Sequence, residues 1–166
     1  MHTFKRASFE DIETIRELAE SSWKSAYHNI LSPEQIEYML AEMYSVKEIE
    51  TQLKNPNYHY YLIEDAGKKV GFIGFENHYL PKKTKLHRLY LVAAAKGKGL
   101  GKSALDFLKS QVKNSSDTSI ILNVNKQNPA KKFYESQNFN VIEEMINDIG
   151  NGFVMDDYVM EYKISR

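Results

Sequence analysis

Apolar residues recur along this chain at two different spacings, and the changes from one to the other divide it into elements. Residues 2–7 read as a short strand. Ser8, with Asp11 three positions on, then resembles a helix cap ahead of Ile12, Ile15, Leu18, Ala19, Ser22, Trp23 and Ala26, which follow at helical spacing. Ser32-Pro33-Glu34-Gln35 is a second start signal. Its proline sits in the first turn, where no N–H is needed, and its glutamine can reach back to the cap ahead of Ile36, Met39, Leu40 and Met43. Ser45 with Glu48 repeats the pattern before Ile49 and Leu53. Asn55-Pro56-Asn57 then ends the run, because a residue preceding proline is driven out of the helical region.

From Tyr58 the period drops to two and β-favouring residues dominate. Tyr58 to Glu64 and Val70 to Asn77 flank the turn Asp65-Ala66-Gly67-Lys68 and predict an antiparallel hairpin. After a basic loop around Pro81, Lys82 and Lys83, Leu86 to Val92 predicts a central strand. Alternation there puts His87, Leu89 and Leu91 on one face and Arg88, Tyr90 and Val92 on the other. Leu100, Ala104, Phe107, Leu108, Gln111 and Val112 return to helical spacing until Ser115-Ser116-Asp117. Ile120 to Val124 is apolar enough for a buried parallel strand, and Asn128-Pro129 opens a helix carrying Ala130, Phe133 and Tyr134. Phe139 to Glu143 and Tyr158 to Ile164 predict two last strands, joined by a turn-rich stretch with Gly150 and Gly152. The sum is α+β, a mixed sheet covered by helices, and 166 residues suit one domain.

Composition narrows the function classes. Lys plus Arg and Asp plus Glu both total 22, so no net field draws the chain to nucleic acid or an anionic membrane, and any anion site must be local. The absence of cysteine excludes disulfides, thiolate metal sites and a cysteine nucleophile. None of the five histidines has spacing that demands a metal. The N-terminus lacks a secretory pattern and no run suits a bilayer span, which predicts a soluble cytoplasmic protein.

The candidate chemistry begins at Lys96-Gly97-Lys98-Gly99-Leu100-Gly101, which lies between a predicted strand and a predicted helix, with Lys102 and Ser103 following. Glycines at alternate positions let a phosphate approach the backbone, and a helix N-terminus offers unpaired amides and a favourable dipole. Three phosphate loops compete for this pattern. The dinucleotide fingerprint requires G-x-G-x-x-G, whereas the spacing here is G-x-G-x-G. The Walker pattern is met at Gly101-Lys102-Ser103, but its first glycine would fall on Lys96. The third, [RQ]-x-x-G-x-[GA], resembles the acetyl-CoA signature of the GCN5-related N-acetyltransferases (GNAT), with Lys96 in place of the usual Arg or Gln.

The resemblance covers nearly the whole chain. Asn128 to Phe139 is similar to the family's N-x-x-A-x-x-F-Y-x-x-x-G-F block, with Asn138 where Gly is usual, and the region from Ser32 to the tyrosine-rich strand resembles the PaiA-type branch, which includes polyamine acetyltransferases. It implies a centrally splayed mixed sheet and direct transfer of an acetyl group from acetyl-CoA to a primary amine of a small, polyamine-like molecule or a peptide. A family-typical homodimer is also implied. The pyrophosphate would lie on residues Lys96, Gly97, Lys98, Gly99, Leu100, Gly101, Lys102 and Ser103, and the pantetheine along backbone groups of Leu91, Val92 and Ala93, with Asn128 nearby. Tyr134 matches the family's tyrosine at the sulfur and is the expected general acid. His87 occupies the neighbourhood in which a base is expected, with Glu76 and His78 as further candidates. Trp23, Tyr27 and Tyr44 either line the acceptor pocket or form the seam between the two early helices. Two other functions remain open at this level: a CoA-binding module without turnover, and a phosphate-loop nucleotide-binding protein using Gly101-Lys102-Ser103.

Overall fold

A computed structural model of the protein describes residues 1–165. Its elements are β1 (His2–Arg6), α1 (Ile12–Tyr27), α2 (Pro33–Met43), α3 (Val46–Lys54), β2 (Tyr58–Asp65), β3 (Lys68–Leu80) and β4 (Lys83–Leu91), followed by α4 (Leu100–Lys113), β5 (Ser119–Asn125), α5 (Ala130–Ser136), β6 (Asn140–Gly150) and β7 (Phe153–Lys163). The predicted caps form. Ser32 Oγ accepts from Gln35 N and Ser45 Oγ from Glu48 N, each at 3.1 Å, contacts that typically stabilise a helix by about 1 kcal/mol. At Ser8 the bond runs the other way, with Ser8 N donating to Asp11 Oδ2 at 2.9 Å.

The strands form one seven-stranded sheet in the order β1-β2-β3-β4-β5-β7-β6. Every neighbouring pair is antiparallel except β4 and β5. Helices α1–α3 cover one face over a cluster containing Ile15, Trp23, Tyr44, Ile49, Tyr60 and Phe72. Helices α4 and α5 cover the other over Ile73, Leu105, Leu108, Ile120, Phe139 and Met160.

The parallel pair is short. It runs from Lys83 opposite Ser119 to Leu86 opposite Leu122 and then stops, although β4 continues to Leu91 and β5 to Asn125. The expected splay is therefore present, and it begins at an irregularity. On the β3 side Gly74 pairs with Arg88 and Phe75 with Leu86, which leaves His87 as the extra residue of a bulge. The bulge breaks the alternation read from the sequence. His87 does not share a face with Leu89 and Leu91: its ring stacks on Tyr58 at 5.0 Å, on the side of α1–α3, where the Arg88 guanidinium lies 4.1 Å from the Tyr44 ring. Leu86, Leu89 and Leu91 pack on the opposite side.

Two loops are shorter than expected. The basic loop around Pro81 is a tight hairpin, because β3 extends to Leu80 and β4 starts at Lys83, with Lys82 at φ 63°. The stretch before Tyr158 is also strand: β6 and β7 are paired out to Gly150 and Phe153.

Candidate active site

The gap opened by the splay leads into a cavity of about 560 Å³. Its walls are Leu86 to Leu91 of β4, Leu122 to Val124 of β5, Lys96, Gly97 and Gly99 of the glycine loop, the first turn of α4, and Asn128, Phe133 and Tyr134 at α5; Tyr27 closes it from α1. Strand ends, a helix N-terminus and a second helix thus converge on one space.

The glycine loop owes its shape to the backbone. Gly99 has φ 78°, a left-handed conformation that side-chain-bearing residues resist, and Gly97 is similar at 80°. Gly99 caps α4 without any side-chain cap, and the first bond of the helical ladder is Ser103 N to Gly99 O at 3.1 Å. The amides of Leu100, Gly101 and Lys102 therefore precede the ladder and point out of the helix end, where the dipole favours an anion. Gly101 serves packing instead: a Cβ there would lie 3.2 Å from the Phe133 ring. Of the expected cofactor residues, Val92, Ala93, Lys98 and Ser103 are off the cavity wall, and the Lys102 ammonium is paired with Asp106 at 2.8 Å.

The strand groups available to an extended ligand also differ from expectation. Val92 N donates to Val70 O at 2.9 Å, so that amide faces β3 rather than the gap, and the Ala93 carbonyl accepts from Lys96 N at 3.2 Å. Because backbone groups alternate along an antiparallel pair, those of Leu91 and Leu89 face the gap.

Tyr134 is 9% exposed, lies on the cavity wall, and its hydroxyl has no hydrogen-bond partner among the described residues. Burial, with the nearby Tyr27 adding to it, holds the phenol well above its ordinary range and hence neutral. Asn128 uses its Oδ1 to accept from Ala130 N at 2.9 Å and shapes the start of α5, while its Nδ2 lies 3.5 Å from Tyr27 Oη. Tyr27 Oη in turn meets Tyr90 Oη at 3.2 Å.

His87 lines the cavity with Nε2 3.0 Å from Glu76 Oε1. Burial, with the charges of Lys85 and Arg88, pushes its imidazole down to about 3; these outweigh the Glu76 carboxylate, which works in the opposite direction. A neutral ring that donates Nε2–H to Glu76 keeps Nδ1 as an acceptor. His78 plays a different part. Its ring Nδ1 is 2.7 Å from Asp117 Oδ1 and its amide donates to Asp117 Oδ2, which pins the β3–β4 hairpin outside the cavity.

Trp23 and Tyr44 are 1% and 2% exposed and bonded to each other, Trp23 Nε1 donating to Tyr44 Oη at 3.1 Å. They form the seam between α1 and the end of α2, and of the three aromatic candidates Tyr27 alone lines the cavity. Arg88, Tyr90 and Asn123 also line it, though the sequence pattern does not single them out. Asn123 does carry a signal, as a polar residue inside the apolar run Ile120 to Val124.

A family model described as an acetyltransferase (GNAT) domain matches residues 28–161, and the chain belongs to that family of enzymes. Its particular relatives agree with the PaiA-like layout. The chain is 30% identical over 155 residues, 92% of its length and 94% of the relative's, to a spermidine N(1)-acetyltransferase of Thermoplasma acidophilum. The crystal structure of a PaiA N-acetyltransferase from the same organism, in complex with coenzyme A, superposes with a TM-score of 0.80 at 26% identity, covering 98% of this chain and 99% of that one. The ribosomal-protein-S18-alanine N-acetyltransferase of Escherichia coli shares the fold at 18% identity, with a TM-score of 0.71 over 100% of this chain and 96% of that one.

Proposed function

We propose that the protein transfers an acetyl group from acetyl-CoA directly to a primary amine of a small, polyamine-like molecule. The observation that carries this reading is the continuity of the cavity, from the uncapped amides of α4, through the β4–β5 gap, to Tyr134 and the face under α1. The pyrophosphate would rest on the amides of α4, and the pantetheine would run along the backbone of Leu89 and Leu91.

The amine nitrogen attacks the thioester carbonyl carbon, a C–N bond forms and the C–S bond breaks. Nδ1 of His87, held at about 3, takes a proton only uphill, so it accepts a hydrogen bond from the attacking N–H while the proton passes on through water, and the departing sulfur is met by the Tyr134 hydroxyl. A phenol held above its ordinary range releases a proton to a thiolate only uphill, so Tyr134 acts chiefly by hydrogen bonding to the developing negative charge. Holding the two reactants in one narrow gap supplies much of the rate. The relative named as a spermidine N(1)-acetyltransferase supports a polyamine-like acceptor.

A thiol-release assay tests this with acetyl-CoA against polyamines, aminoglycosides and peptide N-termini. Polyamines should give the highest kcat/KM, and Tyr134→Phe should lower kcat by about a hundredfold while leaving acetyl-CoA affinity nearly unchanged. Turnover confined to peptides, or an equal loss of binding and rate in Tyr134→Phe, would contradict it.

A further inference from the structure

Asp157 of β7 is a buried carboxylate without an adequate partner. It is 5% exposed and its Oδ1 has no hydrogen-bond partner among the described residues; Asn147 Nδ2 approaches Oδ2 at 3.4 Å, and burial raises the carboxyl above its ordinary range although Asn147, Asn123 and the charge of Lys85 work in the opposite direction. Asp117, another buried carboxylate, shows what full satisfaction looks like: it accepts from the His78 amide at 2.8 Å and from Thr84 Oγ1 at 2.7 Å, and meets the His78 ring at 2.7 Å. Lys126 bonds instead to Glu144 and Asp156, at 2.8 and 3.0 Å. A buried carboxylate oxygen left without a donor is costly, and an incoming donor relieves that cost.

The place of Asp157 indicates which donor. By register it stands opposite Asn125 and therefore shares a sheet face with Asn123, which lines the cavity. Tyr27, also on the cavity wall, feels its charge. This is the face under α1 and α2, opposite the side of α4. One inter-strand step of about 4.8 Å separates β5 from β7, so Asp157 stands beyond the β4–β5 gap by roughly the reach of a short alkyl chain. The two ends of that span differ in charge. The gap carries the guanidinium of Arg88, 5% exposed and bonded to the neutral Tyr60 hydroxyl and the Met43 carbonyl, which disfavours an ammonium there. The far end carries a carboxylate, which favours one.

We propose that Asp157 anchors a second ammonium of the acceptor, so that the site selects α,ω-diamines and polyamines over monoamines and presents their other nitrogen, neutral, at the gap. The inference rests on the amine-acetylation reading above. It assigns Asp157 to binding and orientation, with no part in the acyl transfer itself.

The test pairs diamines of roughly three to five carbons with amino alcohols of the same length, in which a hydroxyl replaces the far ammonium. Both are assayed by thiol release in the wild type, Asp157→Asn and Asp157→Glu. The wild type should prefer the diamine in kcat/KM by about tenfold or more, Asp157→Asn should lose most of that preference, and Asp157→Glu should retain part of it. The ratio is read within each variant, so loss of folded protein cancels. Equal kcat/KM for the paired substrates in the wild type, or a ratio unchanged in Asp157→Asn, would overturn the anchor while leaving amine acetylation standing. No turnover of either substrate by the wild type would overturn both.

Discussion

Burial keeps Tyr134 and His87, both on the cavity wall, uncharged at neutral pH, by the same physics acting on opposite charges. Phenolate is disfavoured at Tyr134 and imidazolium at His87. One can then donate a hydrogen bond and the other accept one without prior titration. For His87 this has a consequence for stability. Its value in the folded protein is about 3, below the ordinary 6.5, so as pH falls the unfolded chain binds the proton first. Stability from this residue is fully present above the ordinary value and is lost progressively between 6.5 and about 3. Thermal melts across that window should therefore show a smaller acid-induced drop in His87→Gln than in the wild type. Equal drops would mean that Glu76 already holds the imidazole protonated in the fold.

Among the elements, α4 carries the clearest sequence signature, and the proposed pyrophosphate site rests on it. Its apolar spacing and the glycines before it were both legible, and Gly99 takes the left-handed conformation that a glycine cap permits. Gly99→Asp should raise the Kd for CoA by at least about tenfold, through backbone strain and a negative charge beside the α4 amides, whereas Gly99→Ala isolates the strain. Calorimetric titration of both variants measures this, and similar affinity in Gly99→Asp and the wild type would contradict the placement of the pyrophosphate.

Strand β4 was legible as a strand but not in its facing. A bulge at His87 depends on what β3 and β5 offer on either side, and a single strand's alternation holds no record of its partners. The β6–β7 ribbon was underestimated for a different reason. Most of β6 is exposed, with Glu143, Glu144, Asn147 and Asp148 among its residues, so neither face imposes an apolar period. Trp23 and Tyr44 were legible as aromatic and ambiguous in role, because a seam and a pocket wall demand the same residue types. Asp157 lay before a predicted strand in an acidic, turn-rich stretch, where nothing distinguishes a buried carboxylate from a solvated one.

At the scale of the whole molecule, two apolar clusters on opposite faces hold one sheet whose central strands part over half their length. The cluster under α1–α3 contains Tyr27, and the cluster under α4 and α5 contains Tyr134, so the gap between β4 and β5 receives one phenol from each side. In the proposed reaction the thioester donor and the amine acceptor would approach from these different sides and meet where the strands part. The most direct test is calorimetry of the wild-type protein with acetyl-CoA, CoA and Mg-ATP. Saturable binding of acetyl-CoA, competed by CoA and indifferent to Mg-ATP, is the predicted result; binding of Mg-ATP with no heat from either CoA species would contradict it.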